Sequence, residues 1–176
     1  MTAYSTKDGF TIEDMLYFGY GHVDAARTLF EDDRVFLDSA GYLAHLGTEL
    51  ILKAWHLQWF GQFDNTHDLV CLYADIKKTD NSLNIGAHNE AFLAELDRFY
   101  LLRYPRRKEG PVEIGSNQLA HFDTLHDALW ERFPMELRDS YEKLDLTRKG
   151  GRVFMKKKIA IEPSPPENPM EATNGK

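Results

Sequence analysis

One segment constrains this chain more than any other. From Leu43 to Phe60 the sequence LAHLGTELILKAWHLQWF carries apolar residues at so many positions that, wound as a helix, most of its circumference is greasy. Such a helix has to be central, and the rest of the chain must surround it. The predicted helix runs from about Val35 to Phe60 and is closed by Gly61. Placing successive residues about 100° apart gathers Asp38, Tyr42, His45, Glu49, Lys53 and His56 inside an arc of about 80°. Two readings of that polar strip stand side by side. It is the solvated side of a mostly buried helix, with Glu49 four residues before Lys53 in the favourable order, or it faces a groove or a partner, in which case its ionised groups need pairing.

The flanking segments read as further helices. Thr11 offers an N-cap, Asp14 follows at the capping-box position, and Ile12, Met15, Leu16, Gly19, Val23, Ala26 and Phe30 recur every three or four residues up to the acidic cluster at Glu31–Asp33. After a turn expected at Asp64 and Asn65, Thr66 offers a cap for a third helix bearing Leu69, Leu72, Tyr73 and Ile76. A fourth carries Phe92, Leu93, Leu96, Phe99 and Tyr100 and stops before Pro105. A fifth shows Leu119, Phe122, Leu125, Leu129, Trp130 and Phe133, and Pro134 kinks it or starts another. The fold class is therefore all-α, an antiparallel bundle of five to six helices over residues 1–149. Gly150 and Gly151 mark a boundary to a basic, then Pro-rich tail over 150–176. Its RVFMKKKIAI stretch reads as a short extended segment or arm, and the rest is expected to be disordered.

Charge and cysteine usage narrow the function classes. Residues 1–147 hold 14 Lys and Arg against 25 Asp and Glu, whereas residues 148–176 hold 7 against 3. A body this acidic repels phosphate backbones at long range, so non-specific DNA binding is disfavoured and any nucleic-acid contact needs a local basic patch. With Cys71 as the single cysteine there is neither an intramolecular disulfide nor a thiolate cluster, which points to a reducing cytoplasm. The amino terminus shows no targeting pattern, and no apolar run has the length of a membrane helix.

Three places could carry chemistry. His67 and Asp68 stand at the expected start of the third helix, where unpaired amides and the dipole make an anion-binding corner; capping accounts for Asp68 but not for His67. Arg103, Arg106, Arg107 and Lys108 follow the fourth helix, where they either complement its dipole or contact phosphate. A pair of metal ligands at His45 and Glu49 is of a spacing common by chance. Cys71 reads as a packing residue on an apolar helix. There is no phosphate-cradling glycine loop, HExxH or nucleophile elbow, so no catalytic residue, metal or cofactor is assigned.

The order of TELILKAW, THDL and FYLLRYP over roughly residues 12–135 resembles the HEPN domain, small helical bundles found alone or beside minimal nucleotidyltransferases. The resemblance implicates Glu49 and Lys53 from the helix motif, His67 and Asp68 from THDL, and Arg103 with Tyr104 from RYP. Arg106 and Arg107 join them as ligand- or partner-binding candidates. It further implies a homodimer, toxin–antitoxin-like pairing with a nucleotidyltransferase-family partner, or binding of nucleotide or RNA. Many HEPN proteins are ribonucleases with an Arg followed after four to six residues by a His. Here Arg103 is followed by YPRRKEG and the next histidine is His121, so a non-catalytic binding module is the expectation. A divergent ribonuclease using Arg103 and a distant His, and a purely structural dimerisation module, are the alternatives.

Overall fold

The computed structural model describes residues 2–32, 36–79, 83–103, 114–115, 117–139 and 141. Helix α1 spans Ile12–Asp32 and α2 spans Leu37–Phe60. Helix α3 follows at Leu69–Thr79, α4 at Ala87–Asp97 and α5 at Gln118–Arg132. The all-α bundle expected from the apolar periodicities is the fold observed. Thr11 caps α1 as anticipated, its hydroxyl oxygen accepting from the Asp14 amide at 3.0 Å and its O–H donating to the Asp14 carboxylate at 2.8 Å. Gly61 closes α2 in the left-handed conformation, φ 68°, with its N–H on the Leu57 carbonyl.

Helix α2 is the rod around which the others pack. Ile51, Leu52, Ala54 and Trp55 are completely buried. The Gly19 and Gly47 backbones touch at the crossing of α1 and α2: a Cβ on Gly47 would stand 2.8 Å from the Gly19 carbonyl oxygen and 2.9 Å from the Val23 nitrogen. Gly19 lies beside Ile51 and Val23 beside Gly47, so the two helices run antiparallel. Helix α5 covers another side of the rod, where Trp55 meets Phe133 with ring centroids 4.8 Å apart and Thr48 meets His126.

Four features differ from the sequence reading. The segment expected to turn at Asp64 is a strand, β2 (Gln62–Asp64), paired antiparallel with β1 (Ala3–Ser5) so that Tyr4 faces Phe63. Phe63 is buried in an aromatic cluster with Tyr4 and Phe10, and three residues are too few for a two-residue alternation to show. Helix α3 begins at Leu69, not at Thr66, because Asp68 is the capping residue: its carboxylate accepts from the Cys71 amide at 2.7 Å. Helix α4 stops at Asp97 and tightens into a 3-10 segment, Arg98–Arg103, before Pro105 is reached. Cys71, taken as a packing residue, is exposed, because Leu69, Leu72 and Ile76 bury the other face of α3. After Phe133 leaves helical geometry, Pro134 starts a new short helix over 135–139, accepting from the Leu137 and Arg138 amides. Val35, Tyr104, Arg106, Arg107, Lys108, the Gly150–Gly151 boundary and the whole tail lie outside the described residues.

Candidate functional site

From His45 onward the polar strip of α2 does not meet bulk water. Asp38 is exposed at its start and Tyr42 is half-buried, but His45, Glu49, Lys53 and His56 are all buried. From His45 to His56 the reading of the strip as a solvated side is corrected: α3, α4 and the 3-10 segment after α4 lie over it, His45 and His56 bond carbonyls of those elements, and Glu49 and Lys53 pair with each other on α2 itself. Lys53 Nζ donates to Glu49 Oε1 at 2.6 Å. His56 Nε2 donates to the Leu72 carbonyl on α3 at 2.8 Å, and His45 Nδ1 faces the Leu96 carbonyl on α4 at 3.2 Å. The second Glu49 oxygen, Oε2, stands 3.5 Å from His45 Nε2 and 2.9 Å from His67 Nδ1.

Glu49 is therefore the hub, a buried carboxylate facing one ammonium and two imidazoles. Burial by itself would raise its pKa. The hydrogen bonds and charge supplied by His45, Lys53 and His67 outweigh that and hold it at about 2. At neutral pH Glu49 is ionised, and the Lys53 ammonium beside it is neutralised at contact distance. A buried ion is tolerated only with such pairing.

The other half of the site is the entrance to α3. Thr66 Oγ1 accepts from the Asp68 amide at 3.1 Å, Asp68 accepts from Cys71, and Asp97 reaches across from the end of α4 to accept from the Leu69 amide at 2.6 Å. Those carboxylates occupy the first-turn donors that the sequence reading offered to an anion. The expected anion-binding corner is thus already filled by the protein's own acids. Burial raises the Asp97 carboxyl above its usual range, and the charges of Asp68 and Glu49 add to this, while the Leu69 amide and His45 work against it. Asp97 escaped the sequence reading because the bond it makes spans 28 residues, and nothing local distinguishes it from any acid at a helix end.

What this arrangement offers a ligand is His67. Its side chain is 60% exposed while its partner Glu49 is only 6% exposed. A buried carboxylate accepting from Nδ1–H holds the ring and, in the neutral tautomer, puts the lone pair on Nε2. Glu49, Lys53, His67 and Asp68, singled out from the sequence, thus come together at one junction of α2, α3 and α4. Arg103 is exposed at the end of the 3-10 segment, which packs on α2 through Phe99 and Leu102 beside Gly41. That point lies about 12 Å along the rod from Glu49 at 1.5 Å per residue.

The fold and site define a small all-α helical bundle whose buried ion network reaches the surface at one histidine. The particular family follows from comparison: the family model of the HEPN domain matches residues 19–129, and the chain belongs to that family. Membership supports a nucleotide- or RNA-related module in general terms. No curated protein and no solved structure matches the chain significantly. Among the described residues, no helix is long and apolar enough to cross a membrane.

Proposed function

We propose that this HEPN protein is a non-catalytic binding module of the cytoplasm that takes the phosphates of a nucleotide or RNA using His67 and the basic run of its sequence, Arg103, Arg106 and Arg107, which includes Tyr104. The observation that carries the reading is the half-hidden pair: a buried Glu49 holds an exposed His67 by Nδ1, a rigid mount for a ring whose free edge can donate to an anion once protonated. Because Asp68 and Asp97 occupy the α3 entrance, phosphate contact has to come from side chains. The acidic body makes that contact local. Titration of the full chain with a nucleoside triphosphate and with a short single-stranded RNA at low salt tests this. The triple charge reversal Arg103→Glu, Arg106→Glu, Arg107→Glu should weaken binding and flatten its dependence on salt. Absence of binding by the unaltered protein overturns it. The reading includes a homodimer that docks a nucleotidyltransferase-type protein, which native mass measurement with and without that partner tests.

The same pair favours a second reading. A carboxylate that accepts from one imidazole nitrogen is the arrangement by which a histidine is oriented for proton transfer at the other. In a divergent ribonuclease His67 would move the proton and Arg103 would face the phosphate. RNA cleavage by purified protein, lost in both His67→Ala and Arg103→Ala, would establish it, and RNA left intact by the unaltered protein would dismiss it.

A further inference from the structure

Helices α4 and α5 meet at a second histidine pair that has no part in the Glu49 network. His88 sits in the first turn of α4 and His121 in the first turn of α5, 33 residues apart in sequence, and His88 Nε2 approaches His121 Nδ1 to 2.8 Å. The ring centroids are 4.6 Å apart at 62°. Phe92, buried one turn after His88, packs against the His121 ring at 5.7 Å. Gln118 Nε2 donates to Glu95 Oε1 at 3.1 Å a little further along the same seam. The two helices that carry the pair are fixed by core residues on their inner sides, among them Phe92, Leu93, Phe122 and Leu125. The pair itself lies at the surface, open to ions from solution.

We propose that His88 and His121 form a two-histidine site for a borderline transition-metal dication, zinc, nickel or copper, which would tie α4 to α5. The separation of the two nitrogens is close to what such an ion needs. Imidazole nitrogens bind zinc at about 2.0–2.1 Å, and two of them at a tetrahedral angle stand about 3.3 Å apart. The observed separation of 2.8 Å requires the rings to part by only about half an ångström, which a small side-chain rotation supplies. Neutral imidazole is a ligand type suited to these ions, and water completes the coordination. Two neutral rings in hydrogen-bond contact share one N–H between them. For both nitrogens to ligate, that proton moves to the other nitrogen of its own ring, so the exchange releases none from the neutral pair and leaves two lone pairs on the metal.

Untagged full-length protein, stripped with a chelator and exchanged into buffer, is titrated with Ni(II) and Zn(II) by calorimetry, and its melting temperature is followed with and without each ion. One equivalent is expected to bind and to raise the melting temperature. His88→Ala and His121→Ala should each weaken binding by at least about tenfold, ~1.4 kcal/mol of binding free energy, and abolish the thermal shift. His88→Gln and His121→Gln, which keep a polar side chain at each site, should lose binding alike, with unchanged far-UV circular dichroism showing that the fold is intact. No stoichiometric binding by the unaltered protein, or binding that survives the substitutions because the ion sits elsewhere, overturns the site.

Discussion

The carboxylate of Glu49, 6% exposed in the body of α2, holds the imidazole of His67, 60% exposed at the mouth of α3, across 2.9 Å. Eighteen residues separate them in sequence. One is a buried anion that needs partners and the other is a surface ring that needs a mount, and the bond serves both. Lys53 completes the charge balance on the other oxygen.

Removing one member of that ion pair should be costly. Glu49→Gln leaves the Lys53 ammonium buried without its counter-ion, with an expected loss of about 3–5 kcal/mol in denaturant unfolding. The double substitution Glu49→Gln, Lys53→Met should recover much of that loss. A double substitution as damaging as the sum of the two single ones would show that the residues do not act as a pair.

Acid should unfold the protein in two overlapping windows. His126 is fully enclosed, its Nε2 against Thr48 Oγ1 and its Nδ1 buried without a hydrogen-bond partner among the described residues. Burial, aided by the Arg27 charge, lowers its pKa from 6.5 to about 3. The folded state then binds fewer protons than the unfolded chain, so stability falls as pH drops from about 6.5 toward 3. The loss reaches about 2 kcal/mol by roughly pH 5. Glu49, held at about 2 against 4.5 unfolded, adds a loss between about pH 4.5 and 2. His126→Gln should flatten the upper window and leave the lower one. Denaturant midpoints measured from pH 7 to 4 check this.

Glycines in α1 and α2 should respond in opposite directions to the same substitution. Gly47→Ala drives a methyl into the Gly19 carbonyl and Val23 backbone, and the expected net loss is about 1–3 kcal/mol despite the better helix propensity of alanine. Gly21 has nothing within 4 Å of where a Cβ would stand. Gly21→Ala should stabilise by about 0.5–1 kcal/mol. Thermal melts of both variants, with Gly19→Ala as a third, would show whether the helix crossing has this close approach.

Cys71 should be accessible yet sluggish toward thiol reagents. It is exposed, but its hydrogen bond to Asp68 and that residue's charge disfavour the thiolate and raise its pKa. Asp68→Asn retains a capping side chain while removing the charge. Labelling by a disulfide reagent at neutral pH should be faster in that variant than in the unaltered protein. Equal rates would show that Asp68 does not govern the thiol.

The apolar spacing in α1, α2 and α5 was enough to read these helices, because burial of one face forces a three-to-four residue repeat, and Thr11 and Gly61 marked ends because capping chemistry is local. The polar strip on α2 was likewise visible as an arc of six residues. Whether it met water or protein could not be read, since the answer depends on α3 and α4, whose positions are fixed by contacts such as Leu69 to Asp97 and His45 to Leu96. The pairing of β1 with β2, the filling of the α3 entrance by Asp97, and the meeting of His88 with His121 join residues far apart in the chain. Local sequence determined which segments wind and which faces are greasy. Tertiary packing decided which charges meet, because desolvation and a specific partner act through space and leave no period along the chain.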